Sequence, residues 1–116
     1  MSSKQSTVDF ILEQISEAGS VSARKMFGEY GIFCDGKMAA LVCDDELFVK
    51  ITPEGKAFID DCPEKSPYPG AKPCFFISGE KWEESEWLTS LIRITTLQLP
   101  IPKKKPRKSK KLEAII

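Results

Sequence analysis

Val8, Ile11, Leu12 and Ile15 recur at i, i+3, i+4 and i+7, one face of an amphipathic helix. Ser6 offers an N-cap with Asp9 three residues on, and Ala18-Gly19 offers a left-handed stop, so the pattern predicts a helix over 6–18. The period then changes from helical to alternating. Asp35-Gly36 is a type I′ hairpin signal, because both central residues need positive φ. A two-residue loop there pairs Cys34 with Lys37, Phe33 with Met38, Gly31 with Ala40 and Glu29 with Val42. Asp44-Asp45 turns the chain again and pairs Val42 with Leu47, Ala40 with Val49 and Met38 with Ile51. One face of this three-stranded unit would collect Phe33, Met38, Ala40, Val42, Leu47, Val49 and Ile51, an almost wholly apolar core side. The other would carry Tyr30, Ile32, Ala39, Leu41 and Phe48 with Glu46 and Lys50. Its Tyr30–Leu41–Phe48 cluster is either covered by a later segment or left for a partner.

Ser20–Phe27 could supply a further strand before Gly28. Thr52-Pro53-Glu54 reads as a helix start, with Ala57 and Phe58 as its buried face. Residues 63–73, with Pro67-Tyr68-Pro69-Gly70, read as a loop, and Cys74–Ile77 as a short strand. Glu83, Glu84 and Glu86 crowd the start of a last helix whose apolar positions are Trp87, Leu88, Leu91, Ile92 and Thr95. The order helix–three or four strands–helix–strand–helix predicts an α+β fold, an antiparallel sheet with flanking helices.

Charge divides the chain. Through Pro102 there are 10 Lys and Arg against 16 Asp and Glu; from Lys103 onward there are 7 against Glu113 alone. Pro100-Ile101-Pro102 marks the exit from a domain over 1–100, and 101–116 is a basic tail too polar to fold alone. Lys103, Lys104, Lys105, Arg107, Lys108, Lys110 and Lys111 are candidate nucleic-acid contacts of the sequence-blind, salt-sensitive kind. Without interleaved aromatics they lack the means to stack on bases.

The chain has no histidine, which removes His-assisted triads and imidazole metal sites. Cys34, Cys43, Cys62 and Cys74 have no C-x-x-C spacing. Six strand steps of ~3.4 Å would place Cys34 and Cys43 about 20 Å apart, so reduced thiols in small buried sites are expected. The acidic clusters Asp44-Asp45-Glu46, Asp60-Asp61 and Glu83-Glu84 occupy a turn, a helix end and a helix start, where acids are favoured without function. Gly28 and Gly31 lie in or between strands, unlike a phosphate loop. No cofactor, metal or catalytic constellation is expected. No run is long and apolar enough for a signal peptide or membrane span, so a soluble, cytoplasmic protein is expected.

The stretch Arg24–Ile51 resembles the N-terminal domain of the TfoX/Sxy family. The resemblance is carried by Arg24, Met26, Phe27, Gly28, Tyr30, Gly31, Phe33, Asp35, Gly36, Met38, Ala40, Leu41, Val42, Asp44, Asp45, Leu47, Phe48 and Lys50, and it extends over about residues 8–97. Lys72-Pro73 and Phe75-Phe76-Ile77 look like the family's second strand region. It implies the YgaC/TfoX-N fold of the secretion-chaperone-like group. Full-length members look like regulators that work with the cyclic-AMP receptor protein on competence genes, and carry a C-terminal helical domain that has no counterpart here. Ala39 stands where a bulky aromatic is common, which would open space on the mixed sheet face. The combined expectation is a non-enzymatic interaction module, a transcriptional co-regulator whose partner surface is Tyr30, Ile32, Leu41 and Phe48. The alternative is non-specific nucleic-acid binding through the tail.

Overall fold

The computed structural model describes residues 3–26, 29–59 and 62–99. The chain forms α1 (Gln5–Gln14), β1 (Val21–Met26), β2 (Glu29–Cys34), β3 (Lys37–Cys43), β4 (Glu46–Val49), α2 (Pro53–Phe58), β5 (Glu64–Lys65), β6 (Cys74–Ile77), α3 (Gly79–Trp82) and α4 (Ser85–Gln98). The strands make one antiparallel sheet in the order β1-β2-β3-β4-β6-β5. Helices α1, α2 and α4 pack on one of its faces, giving the two-layer α+β architecture that the element order predicts. The two-residue β5 lies within the stretch read as loop, and α3 is a turn of helix that the acidic run before α4 conceals. The basic residues Lys103, Lys104, Lys105, Arg107, Lys108, Lys110 and Lys111, and the pair Asp60-Asp61, lie outside the described residues.

Both turns have the expected geometry. Asp35 has φ 53° and Gly36 φ 84°, while Asp44 and Asp45 sit at φ 56° and 59°. Cys34 pairs with Lys37 and Phe33 with Met38, as the Asp35-Gly36 turn dictates. The register then shifts by one residue. Ile32 faces Ala40, Gly31 faces Leu41 and Tyr30 faces Val42, so Ala39 is the extra residue of a bulge. Because side chains alternate with period two, that single insertion reverses the faces of everything beyond it. The helix-facing row becomes Ala23–Ile32–Ala40–Val49–Phe75. Phe33 and Met38 leave the face they were expected to share with Ala40 and Val42. Ala39, expected to open space on the mixed face, is fully buried in the helix-side core instead, and its carbonyl accepts from the Lys50 amide at 3.0 Å.

Helix α1 spans Gln5–Gln14 rather than 6–18, and both ends are set by distant residues. At its start Lys4 holds the N-cap position without a side-chain cap; the Lys4 amide donates to Asp45 Oδ1 at 2.8 Å. The same bond holds the Asp45 carboxyl below its ordinary pKa of 3.8, with a Thr7 hydrogen bond adding to the effect. At the far end the Gln14 carbonyl accepts from Ser85 Oγ (2.7 Å) and Thr89 Oγ1 (3.0 Å), and Arg93 Nη2 donates to Glu17 O at 2.6 Å. Helix α4 thus supplies the C-cap that Ala18-Gly19 was expected to provide. Gly19 lies beyond the helix, where an added Cβ would meet the Asp35 carboxylate oxygens at 2.9 Å.

In α2, Thr52 caps the helix by accepting from the Gly55 amide at 3.0 Å. The buried residue of this helix is Gly55, with Ala57 and Phe58 exposed, which corrects the expected buried face. Leu88, Leu91, Ile92 and Thr95 of α4 are buried as their spacing predicts, with Thr96 beside them and Trp87 half-buried.

Candidate functional site

The outer face of the sheet is the side that no helix covers among the described residues. Across five strands it carries the register row Arg24–Gly31–Leu41–Phe48–Phe76, the counterpart of the helix-side row. Phe48 packs with Cys43, Cys74, Leu41 and Phe76 into a small apolar cluster separate from the main core. The Phe48 and Phe76 rings lie 5.7 Å apart. Phe33 sits under the Arg24 guanidinium, 5.0 Å from the ring centre.

The four residues expected to form one partner surface are split by the bulge. Leu41 and Phe48 lie on the outer face, Leu41 half-buried and Phe48 buried in the floor. Tyr30 and Ile32 lie on the helix side. Ile32 is fully buried, and Tyr30 is buried with its hydroxyl donating to Gln5 Oε1 of α1 at 3.1 Å. Ile32 is therefore a core residue, and its assignment to an open surface is corrected, whereas Tyr30 is tied to α1 and also borders a lobe of the outer-face groove.

The outer face holds a groove of two connected lobes that share Met38, Leu41 and Tyr68. The first, about 370 Å³, is enclosed by Met26, Glu29, Tyr30, Gly31, Met38, Leu41, Cys43 and Tyr68. The second, about 640 Å³, lies between Lys50, Ile51 and the 67–73 segment, with Lys72 and Cys74 in its wall. Gly31 makes the floor of the first lobe. A Cβ there would fall 2.9 Å from Met38 Sδ and 3.0 Å from Met26 Sδ, so the thioethers rest on bare backbone. Tyr68, 55% exposed, forms the wall between the lobes.

The polar groups around this groove differ in how far they are engaged. Glu29 accepts from the Ser3 amide (3.1 Å), Ser3 Oγ (2.6 Å) and the Asp44 amide (3.3 Å). Glu46 pairs with Lys65 at 3.8 Å, and Glu64 with Lys56 at 3.7 Å. Among the described residues, Arg24, Lys50 and Lys72 have no carboxylate within ion-pair reach. The thiols beside the groove resist ionisation. Burial pushes Cys43 up to about 11, with the Glu29 and Asp44 charges adding to it, and burial also raises Cys74 despite the Lys50 ammonium. Such thiols are packing groups at neutral pH.

Sequence reasoning missed Met26, Gly31, Met38 and Tyr68 as site residues. Met38 was displaced to the wrong face by the unseen bulge. Tyr68 had a signal, an aromatic held between Pro67 and Pro69, but nothing local says that its loop folds over the sheet. No described helix is long and apolar enough to cross a membrane.

Comparison with known proteins agrees with the resemblance. The TfoX N-terminal domain family model matches residues 13–98. The chain is also 34% identical over 110 residues to the "Uncharacterized 12.7 kDa protein in trpE 5'region" of Spirochaeta aurantia, covering 95% of this chain and 93% of that one. The chain belongs to the TfoX N-terminal domain family.

Proposed function

We propose that this TfoX N-terminal domain is a non-enzymatic interaction module, a transcriptional co-regulator related to the competence regulators, and that it docks a protein partner on the outer face of its sheet. The observation that carries the reading is the uncovered apolar groove around Tyr68. Small domains normally bury such a face, and an apolar concavity with a half-exposed aromatic at its centre is the usual form of an interaction hot spot. Family membership supports the regulatory part of the reading. Several polar groups are committed to structure: Asp45 anchors α1, Glu29 ties down Ser3, and the groove thiols are held protonated.

The test is binding of the full chain to the cyclic-AMP receptor protein with cyclic AMP present, the partner the family suggests. Binding that Tyr68→Asp abolishes, with an unchanged melting curve, is the expected result. Binding unaffected by Tyr68→Asp would remove the outer face from the reading, and no binding would remove this partner.

The basic run 103–111 favours a second reading, sequence-blind nucleic-acid binding. An anisotropy titration on duplex DNA across salt decides it. Truncation after Pro102 abolishes the affinity and its salt slope if the tail is the contact, and leaves both unchanged if it is not.

A further inference from the structure

Charge is distributed unevenly between the two layers. The helical layer exposes Asp9, Glu13, Glu17, Glu80, Glu84 and Glu86, with Lys81 paired to Glu84 and Arg93 bonded to the Glu17 carbonyl. Glu29 and Glu46 on the outer face are engaged, and Glu64, which borders the lobe of Lys50 and Lys72, is paired with Lys56 of α2, whereas Arg24, Lys50 and Lys72 have no carboxylate partner among the described residues. A domain that is acidic overall thus presents three cations without a carboxylate partner among the described residues around the outer face of its sheet, Arg24 resting on the Phe33 ring.

Their placement sets the shape of an occupant. Arg24 stands on β1 and Lys50 directly follows β4, three strands away, and Lys72 stands in the wall of the lobe that Lys50 also lines. Three strand spacings make about 14 Å, the length of four or five extended residues at about 3.3 Å each. Between the cations lies the Gly31 lobe, apolar and about 370 Å³, within the range of sites that seat a side chain or small ligand.

We infer that the groove binds an extended protein segment with a large apolar side chain at its centre and carboxylates on both flanks. The apolar group enters the lobe of Met26, Gly31, Met38 and Leu41 behind Tyr68, and the acids meet Arg24 at one end and Lys50 and Lys72 at the other. This rests on the outer face being the docking surface, and it names the chemistry of what docks there. A single-stranded nucleic acid shares the negative charge but needs flat aromatic platforms. Here Arg24 covers Phe33, Phe48 and Tyr30 are buried, and Tyr68 offers one exposed ring beside Met26, Met38 and Leu41, too few platforms for successive bases. An anionic bilayer would meet a projecting apolar surface more readily than a recessed lobe.

The full chain is titrated by fluorescence anisotropy with three labelled octapeptides. One has Phe-Leu flanked by Asp and Glu, one has Phe-Leu flanked by Lys, and one has Ser-Ser flanked by Asp and Glu. Oligo-uridine and phosphatidylcholine vesicles carrying phosphatidylserine are run in parallel. Only the acidic Phe-Leu peptide is expected to bind. Its affinity should fall about tenfold or more in Lys50→Glu/Lys72→Glu, which replaces two favourable pairs by repulsion, and again in Tyr68→Ser. Equal binding of the Lys-flanked or Ser-Ser peptide, indifference to charge reversal, preference for oligo-uridine or vesicles, or no peptide binding each overturns the inference. If the peptides fail while Tyr68→Asp still abolishes receptor-protein binding, the docking surface stands and only its acidic occupant falls. If both fail, the surface falls too.

Discussion

Gly55 of α2 sets two general effects against each other, and the geometry decides between them. In a helix interior Gly→Ala ordinarily stabilises by about 1 kcal/mol. Here a Cβ would sit 2.9 Å from Thr52 Oγ1, 3.3 Å from Phe75 Cε2 and 3.8 Å from Leu91 Cδ1. The hydroxyl cannot simply move aside, because it caps the helix by accepting from the Gly55 amide at 3.0 Å. Displacing it forfeits a cap worth about 1 kcal/mol, and pressing a methyl against the buried Phe75 ring costs about 1–3 kcal/mol. The net expectation for Gly55→Ala is a loss of about 1–3 kcal/mol, the sum of these terms less the propensity gain. At about 4–8 °C per kcal/mol for a domain of this size, Tm falls by roughly 5–20 °C. Urea unfolding followed by circular dichroism measures it, and a double-mutant cycle identifies the cause. In a Thr52→Ala background the cap is already lost and the obstructing oxygen is gone, so adding Gly55→Ala should cost about 1 kcal/mol less than in the wild type. A Gly55→Ala protein more stable than wild type, or the same penalty in both backgrounds, would refute the reasoning.

The bulge at Ala39 predicts an asymmetry between residues that simple alternation would place together. Ile32→Ala, in the helix-side core, should cost about 2–5 kcal/mol, whereas Leu41→Ala on the groove should cost less than half of that; equilibrium denaturation compares them. Asp45→Ala should lower Tm by releasing the start of α1. Because the Asp45 pKa is lowered by folding, its contribution is present above 3.8 and is lost as pH falls through the folded value, so the wild-type and Asp45→Ala melting curves should converge in acid. Cys43 has the opposite sign. Its raised pKa favours the folded protein below 9.0, and that contribution is lost between 9.0 and about 11; Cys43→Ser should flatten the fall in stability over this window. At neutral pH, mass spectrometry after brief thiol labelling should find half-buried Cys62 modified ahead of Cys43 and Cys74.

What was legible in the sequence is what short-range chemistry decides. Asp35-Gly36 requires positive φ at two adjacent positions, and the hairpin formed there with the expected first pairs. The periods of Val8–Ile15 and Leu88–Thr95 placed two helices on the core, Thr52-Pro53 placed the cap of a third, and the ordered residues from Arg24 to Lys50 identified the family. Tertiary structure decided which residues face which way. The turn pins only the pairs next to it; one extra residue at Ala39 satisfies the same turn and the same strands, yet sends Tyr30 and Ile32 to the helix side and leaves Leu41 outside. Nothing in the local alternation marks that insertion, since both faces read as apolar. The ends of α1 follow the same rule. Ser6 and Gly19 are adequate local caps, but Asp45, Ser85 and Thr89 lie 41, 71 and 75 residues away from their partners along the chain and displace them in the fold. Propensity acts over a few residues, whereas unpaired amides and carbonyls take whichever partner packing brings within reach. The groove belongs wholly to this second class, because Met26, Gly31, Met38 and Tyr68 become neighbours only when the sheet and the 67–73 segment close over one another.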